Sequence, residues 1–470
     1  MRWACILLPR LALDGVLRRH PDPEAPLVLV TGASQRRVLH AVNPSARALG
    51  LRAGQSLTAA QALSRDFTIH GYDPRDAERW QRLLAAWAYR YSSQVSLHYP
   101  RALLVEIASS LALFGPWPRF EARLREELAA LGFTHRINVA PNPAAARVLG
   151  NAHDGLAVVS QEALKDVLGA LPVERAGLPR DAVEALSRMG LRRLDQVLAL
   201  PRATLTRRFA PAVIRHLGEL LGEWPLALES YLPPDEFDLR LELNFEVSSH
   251  QALLFPLRRL IGDLAAFLAG RDSGVQRFTL ELEHVKGAPS LVPVGLLGAE
   301  RDPGLLFELA RGRLERTRVG APVRAVRLTA RELPPFAPER RELFDARPQQ
   351  SQPWEQLRER LRARLGDHAV HGLGTVGDHR PECAWQPAFL SSAQLDDSRL
   401  RPGWLLARPI PFDVEVAGIL AGPERIESGW WDGGDVRRDY YLIETRKGQR
   451  GWVYREVGGD GQYWLQGWFG

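Results

Sequence analysis

The chain has 470 residues, 45% hydrophobic and 25% charged, proportions of an ordinary soluble globular protein that exclude a disordered or collagen-like one. At roughly 150 residues per domain this length predicts about three domains. The 61 basic residues exceed the 55 acidic ones to give a net +6, and because only Lys165, Lys286 and Lys447 are lysines, 61 less three leaves 58 arginines. Such a surplus fits an anionic partner such as nucleic acid, since guanidinium forks grip phosphate through paired hydrogen bonds. Cys5 and Cys383 form no CxxC pair, which points to a reducing, cytoplasmic setting and away from a thiolate metal site. No apolar run approaches the ~20 residues of a membrane helix, so no membrane role is expected.

In chain order, residues 3–8, 27–31 and 38–42 are apolar runs bounded by turn residues and predict strands. Helical patterns follow at 44–49, 56–64 and 74–92, the last opening on Asp73-Pro74. A strand is predicted at 102–108, a helix at 117–131 and a strand at 135–140, so strands and helices alternate to about residue 170 in an α+β manner. From 175 to 223 short helices replace the strands, with nine arginines against five acids. Residues 231–235 read as a linker, and the strands and helices from 237 to 329 predict a β-α-β-β-α-β unit, the split βαβ arrangement. Residues 346–380 are polar and punctuated by Pro and Gly, apart from a short arginine-rich helix at 353–365; seven of the 13 tryptophans then fall in the short strands of 385–470. The expected fold is a multi-domain α+β chain with a small β-rich C-terminal domain.

Between 181 and 200 two helix patterns join at Met189-Gly190-Leu191, and Arg192, Arg193, Arg202, Arg207 and Arg208 follow closely. A glycine at such a bend leaves backbone N–H groups facing outward, where they can take a phosphate oxygen. The segment resembles a helix-hairpin-helix, a sequence-independent grip on a nucleic-acid backbone.

Taken together, the opening strand, Asn43 to Gly54 (NPSARALGLRAG), Tyr91 to Val95 (YSSQV), Val105 to Gly115 (VEIASSLALFG), Val139 to Leu149 (VAPNPAAARVL) and the helical hairpin resemble the Y-family translesion DNA polymerases, specifically their ImuB-type members. The resemblance covers about residues 1–345, with an ImuB-like tail beyond. It implies a palm and fingers at 1–170 (fingers about 21–72), a helix-hairpin-helix thumb at 171–232, a split-βαβ little finger at 236–345, a linker at 346–380 and a partner-interaction region at 381–470.

Active members of that family hold two Mg²⁺ ions with carboxylates at the end of the first strand and in a later one, because Mg²⁺ demands hard oxygen ligands. Matching these motifs places Leu8 and Arg10 at the first pair of positions and Arg101 and Ala102 at the second. No D-x-D occurs before residue 70 and no Asp-Glu pair between 80 and 120. Each arginine also reverses a charge, and like charges at about 4 Å repel by roughly 4 kcal/mol at an effective dielectric of 20. The expectation is a protein that is not an enzyme and holds no metal or cofactor. The alternative is an active polymerase whose metal site has moved to Asp14 and Glu106. Arg47 matches the family's triphosphate-contacting arginine, Pro44 replaces its partner tyrosine, Leu13 replaces the aromatic that guards the sugar, and Arg147 stands where a lysine is usual.

Further on, Arg340-Arg341-Glu342-Leu343-Phe344 keeps the Leu-Phe anchor of bacterial clamp-binding peptides, so Glu342, Leu343 and Phe344 are the expected sliding-clamp contact. His368, His371, His379 and Cys383 fit no tight zinc spacing. Residues 424–441, with Arg438, Asp439, Tyr440 and Tyr441, resemble the tail through which the family docks an ImuA-type RecA-like protein and an error-prone DnaE-type polymerase. The implied function is a damaged-DNA-binding scaffold in damage-induced (SOS) mutagenic translesion synthesis.

Overall fold

The computed structural model describes residues 1–20, 22, 24–33, 36–336, 354–366, 369–370, 372–388, 401–413 and 415–470. They divide into two compact units, Met1–Arg360 and Leu361–Gly470.

The first unit opens with β1 (Trp3–Leu7), α1 (Leu11–Leu17), β2 (Leu27–Thr31), β3 (Val38–Val42), α2 (Pro44–Ala48), α3 (Leu57–Leu63), β4 (Thr68–Gly71) and α4 (Pro74–Ala88). It continues with β5 (Val95–Ser96), β6 (Ala102–Glu106), α5 (Leu111–Phe114), α6 (Trp117–Ala130), β7 (Arg136–Ala140), α7 (Pro143–Leu149) and α8 (Gln161–Gly169). β1 is buried throughout because it lies inside an antiparallel sheet of order β5-β6-β1-β7, which is why its sequence is continuously apolar. β2 pairs antiparallel with β3 and parallel with β4 in a separate three-stranded sheet. Asn43 ties that sheet to α2: its buried Oδ1 caps the helix through Ala46 N (2.9 Å) and also accepts from Leu27 N (3.0 Å).

Four short helices follow, α9 (Arg180–Arg188), α10 (Leu194–Leu198), α11 (Arg202–Arg208) and α12 (Pro211–Leu220). Their apolar sides join α7 and α8 in one core containing Leu164, Leu186, Val197 and Leu217. The turn between α9 and α10 runs through Gly190 at φ +76°, a left-handed conformation in which a side chain is strained.

β8 (Phe237–Val247), α13 (His250–Gly270), β9 (Val275–His284), β10 (Ser290–Glu300), α14 (Pro303–Arg316) and β11 (Val323–Glu332) complete the β-α-β-β-α-β order. Their sheet runs β10-β9-β11-β8, all antiparallel, so β11 is inserted between the two strands joined by α13. α13 also packs on α4, and Gly270 permits the approach: a Cβ there would stand 1.9 Å from the Ala86 carbonyl oxygen. Inside the same contact Arg18, which caps the C-terminus of α1, pairs with Asp263 of α13, their side chains 4% and 1% exposed. The predicted linker at 231–235 is tied down by Arg271, whose guanidinium donates to the Pro233 carbonyl (2.9 Å) and to Asp235 Oδ1 (3.1 Å).

The stretch expected as a linker at 346–380 holds two elements, α15 (Trp354–Leu365) and β12 (Gly372–Thr375). Glu359 of α15 is buried and accepts from Leu297 N of β10 at 2.5 Å, which explains why the first unit reaches Arg360. In the second unit β12 pairs with β13 (Trp385–Ala388). β14 (Trp404–Pro411), β15 (Val416–Ser428), β16 (Val436–Thr445), β17 (Arg450–Glu456) and β18 (Trp464–Trp468) form an antiparallel sheet of order β14-β18-β17-β16-β15. Successive residues of β16 and β17 serve opposite faces: Tyr440, Trp452 and Tyr454 cluster on one, Tyr441, Ile443 and Val453 on the other.

Candidate functional site: an arginine-lined cleft and an arginine-faced hairpin

β1 and β6 end side by side, Leu7 opposite Ala102, and Leu8 N donates to the Arg101 carbonyl at 2.8 Å. The four positions matched to metal carboxylates therefore come together in space. Leu8 and Ala102 are fully buried aliphatic side chains. Arg101 adopts φ +56°, unusual for a residue with a side chain, and among the described residues its guanidinium donates to the Pro9 carbonyl at 3.5 Å. Arg10 donates to Thr134 Oγ1 at 2.5 Å, with Asp14 3.9 Å from its Nε.

Arg10 and Arg101, but not the buried Leu8 and Ala102, line a cleft of about 690 Å³ whose far wall comes from the three-stranded sheet and α2, with His40, Arg47, Arg52 and Tyr72 among its lining. Four arginines, Arg10, Arg47, Arg52 and Arg101, line it, and none of its lining residues is acidic. His40 stacks on Tyr72, ring centroids 3.7 Å apart; burial and then the charge of Arg101 push its imidazole below the usual value. Leu13, the expected replacement for the sugar guard, is among the lining residues; Pro44, at the start of α2, is not. Arg147 is not there either. It donates to Asn151 Oδ1 at 2.6 Å and lies over Tyr99, on the α7 side of the sheet, so the two arginines read as nucleotide remnants do not share a site. His40, Arg52 and Tyr72 carry no motif of their own, although Arg52 falls within the segment quoted for Arg47.

Asp14 and Glu106 do not converge. Asp14 accepts from Thr134 N at 2.7 Å, and burial pushes its carboxyl above the usual range against that hydrogen bond and Arg10. Glu106 pairs in register with Trp3, at the opposite end of β1 from Leu7, and closes a turn by accepting from Arg2 N (3.1 Å), Ala108 N (3.1 Å) and Ser109 Oγ (3.2 Å). Four strand steps alone put ~13 Å between those ends, whereas Mg²⁺ ligands lie at about 2.0–2.1 Å. Among the described residues no group of three or more His, Cys, Asp or Glu is placed to hold a metal ion.

In the helical hairpin Arg192, Arg193, Arg202, Arg207 and Arg208 are all exposed. The expected mechanism of the grip is corrected, because its backbone donors are already engaged. Gly190 N donates to the Ser187 carbonyl (3.0 Å), Leu191 N to the Leu186 carbonyl (3.0 Å), and Arg192 N and Arg193 N both to Gln196 Oε1 (2.9 and 3.1 Å). What the hairpin offers an anion is side chains. Arg193 leans on Asp195 (2.8 Å), and Arg202 pairs with Glu223 (3.2 Å) over the Trp224 ring.

The residues expected to dock partners lie in the sheet of the second unit. Tyr440 is buried, stacked on Trp452 with centroids 4.3 Å apart, and Tyr441 fills the opposite face. Asp439 accepts both nitrogens of the Arg425 fork (2.8 and 3.1 Å), which holds its carboxyl below the usual range. Arg438 donates to Glu382 at 2.7 Å. Tyr440 and Tyr441 belong to the tail's apolar clusters and Arg438 and Asp439 make ion pairs beside them, while Trp430 and Trp431 at a hairpin tip are exposed. Glu342, Leu343 and Phe344 lie outside the described residues, as do His368 and His371.

With this geometry in view, the comparisons set the class first. Residues 14–151 match the impB/mucB/samB family, a Y-family segment. Over 461 aligned residues the chain is 28% identical to Protein ImuB of Caulobacter vibrioides (strain NA1000 / CB15N), covering 90% of this chain and 100% of that protein. It is 24% identical over 322 residues to DNA polymerase IV of Desulfatibacillum aliphaticivorans, covering 66% of this chain and 78% of that one. The chain is thus similar to Protein ImuB over nine-tenths of its length, and the segment that matches the impB/mucB/samB family lies in its first third. Among solved structures, an insertion ternary complex of Dbh DNA polymerase aligns with 71% of this chain and 99% of that chain at 15% identity and a TM-score of 0.43. DinB from Sulfolobus solfataricus aligns with 72% of this chain and 100% of that chain at 15% identity and a TM-score of 0.40. No described helix is long and apolar enough to cross a membrane.

Proposed function

We propose that this protein is a DNA-damage-tolerance factor: a Y-family-like DNA-binding scaffold, cytoplasmic, that does not itself synthesise DNA. The observation that supports the reading is the junction of β1 and β6, which brings together Leu8 and Ala102, two of the positions that motif matching aligns with the family's metal-binding carboxylates, with Arg101 and Arg10 beside them. On this reading 1–170 is the palm and fingers, 171–232 a helix-hairpin-helix thumb that holds the DNA backbone through arginine side chains, and 236–345 the little finger. The tail beyond brings in an error-prone DnaE-type polymerase and an ImuA-type protein. An active enzyme with a relocated metal site would need Asp14 and Glu106 at one point, and both are committed to separate structural hydrogen bonds. Primer extension tests the reading, because a scaffold binds primer–template and leaves the primer unextended.

The sliding clamp is the proposed partner of Glu342, Leu343 and Phe344. Replacing both Leu343 and Phe344 by alanine is expected to abolish capture of the clamp in a pull-down, since such anchors carry most of an interface's energy. Unchanged capture would remove the clamp from the scheme.

A further inference from the structure

α13 carries two glycines, and they do different things. Gly270 admits the Ala86 backbone, whereas a Cβ at Gly262 would meet nothing within 4 Å. An interior glycine weakens a helix, so at 262 the missing side chain serves an opening and not a close approach. That opening is a pocket of about 300 Å³. Phe255, Arg258, Arg259, Gly262 and Asp263 supply one side of it, at the spacing of a single helix face, and the end of α6 with Arg18 supplies the other. At its buried end the Arg18–Asp263 pair leaves two atoms, Arg18 Nε and Asp263 Oδ2, with no hydrogen-bond partner among the described residues. At its open end Arg258 lies over the Phe307 ring (4.5 Å) and Arg259 over the Phe255 ring (5.7 Å), and neither meets a carboxylate within ion-pair distance among the described residues. Elsewhere in this unit arginines are matched, as Arg125 is by Glu121 and Asp154 and Arg240 by Glu283. Here three guanidinium groups face one carboxylate, in a space walled by Ala130, Leu131 and the exposed Phe255.

We propose that this pocket docks an acidic segment of a partner protein, taking a glutamate or aspartate carboxylate between Arg258 and Arg259 and a neighbouring aliphatic side chain against Phe255 and Leu131. A carboxylate matches a guanidinium fork with two parallel hydrogen bonds. A phosphate group has more oxygens to satisfy and finds few donors here. The lining holds no hydroxyl or amide side chain, and α6 presents its C-terminal end, where carbonyl oxygens and the negative pole of the helix face outward. The volume suits one or two side chains, standing at the lower end of the ~300–1,000 Å³ of ordinary ligand pockets. The buried stripe of α13, Leu253, Leu257, Leu260 and Leu264, lies on the opposite face, so a change at 258, 259 or 262 leaves that packing intact. The site does not depend on whether the chain holds DNA, and the two kinds of binding are read in separate assays.

The test is fluorescence anisotropy of a fluorescein-labelled peptide of alternating glutamate and leucine, titrated with the full chain, beside a counterpart in which glutamine replaces every glutamate. The glutamate peptide is expected to bind and the glutamine peptide is not. Gly262→Leu fills the opening, keeps every charge and favours the helix. Arg258→Ala with Arg259→Ala keeps the opening and removes the charges. Each should weaken binding by about tenfold or more, tenfold being ~1.4 kcal/mol. Arg180→Ala, exposed on α9, should change nothing, which separates the pocket from general attraction to a basic chain. The proposal is overturned by an absence of binding up to millimolar peptide, by equal affinity of the glutamine peptide, by wild-type affinity in either pocket variant, or by an equal loss in Arg180→Ala. Displacement of the peptide by inorganic phosphate or by oligothymidylate at equal charge concentration would also overturn it, in favour of a phosphate or nucleic-acid site.

Discussion

Replacing Asp263 by alanine is expected to destabilise the Met1–Arg360 unit by about 3–5 kcal/mol, the usual loss when one member of a buried ion pair is removed. The partner left behind is Arg18, whose side chain is 4% exposed and whose guanidinium lies against the rings of Trp80 and Phe133, 4.8 and 4.7 Å from their centroids. Burial pushes the Asp263 carboxyl above its usual range and Arg18 opposes the shift, so the pair holds its charges only as a pair. Asp263→Asn keeps the shape and one acceptor and should lose less. The double change Arg18→Met with Asp263→Leu, which removes both charges, should recover most of the stability. Urea midpoints of the four proteins form the measurement; an Asp263→Ala midpoint equal to wild type would mean that α13 is not held on α1 and α4 by this contact.

Changing Arg192, Arg193, Arg202, Arg207 and Arg208 together to alanine is expected to reduce the salt dependence of DNA binding by up to about 4–5 units in slope, at ~0.9 per phosphate contact. Affinity should fall alike for every sequence, because backbone contacts carry no base information. The hairpin's own amides distinguish two forms of the grip. Gln196 Oε1 occupies the N–H groups of Arg192 and Arg193, so Gln196→Ala should scarcely change affinity if side chains do the holding. A large gain in that variant would return the contact to the backbone. Fluorescence anisotropy of one duplex across a salt series measures both.

The strands of the first sheet were legible because a strand buried on both faces must be apolar along its length, as residues 3–8 are, and the second α/β order followed from its alternation. The meeting of Leu8 and Arg10 with Arg101 and Ala102 could be anticipated by motif matching alone. What escaped depends on distance in sequence. Nothing near Arg18 announces Asp263, 245 residues away, and nothing in His40 or Tyr72 announces the cleft until β2, β3 and β4 are assembled. Tyr440 and Tyr441 are expected within a partner-docking tail, yet adjacent strand residues face opposite ways, and each is buried in the apolar cluster on its own face of the sheet. The hairpin's free amides were misread for a related reason: a side chain four residues on from Arg192, Gln196, decides whether they are free.

The central claim is that the chain holds DNA and cannot extend it. The direct measurement is primer extension by the purified protein on undamaged and lesion-bearing templates, in Mg²⁺ and in Mn²⁺, with duplex binding recorded in the same buffers. The expected result is a bound duplex and no incorporation with either ion, because Leu8, Arg10, Arg101 and Ala102 offer the metal no oxygen ligands. Robust incorporation that Asp14→Ala or Glu106→Ala abolishes would contradict it and establish an active, displaced metal site.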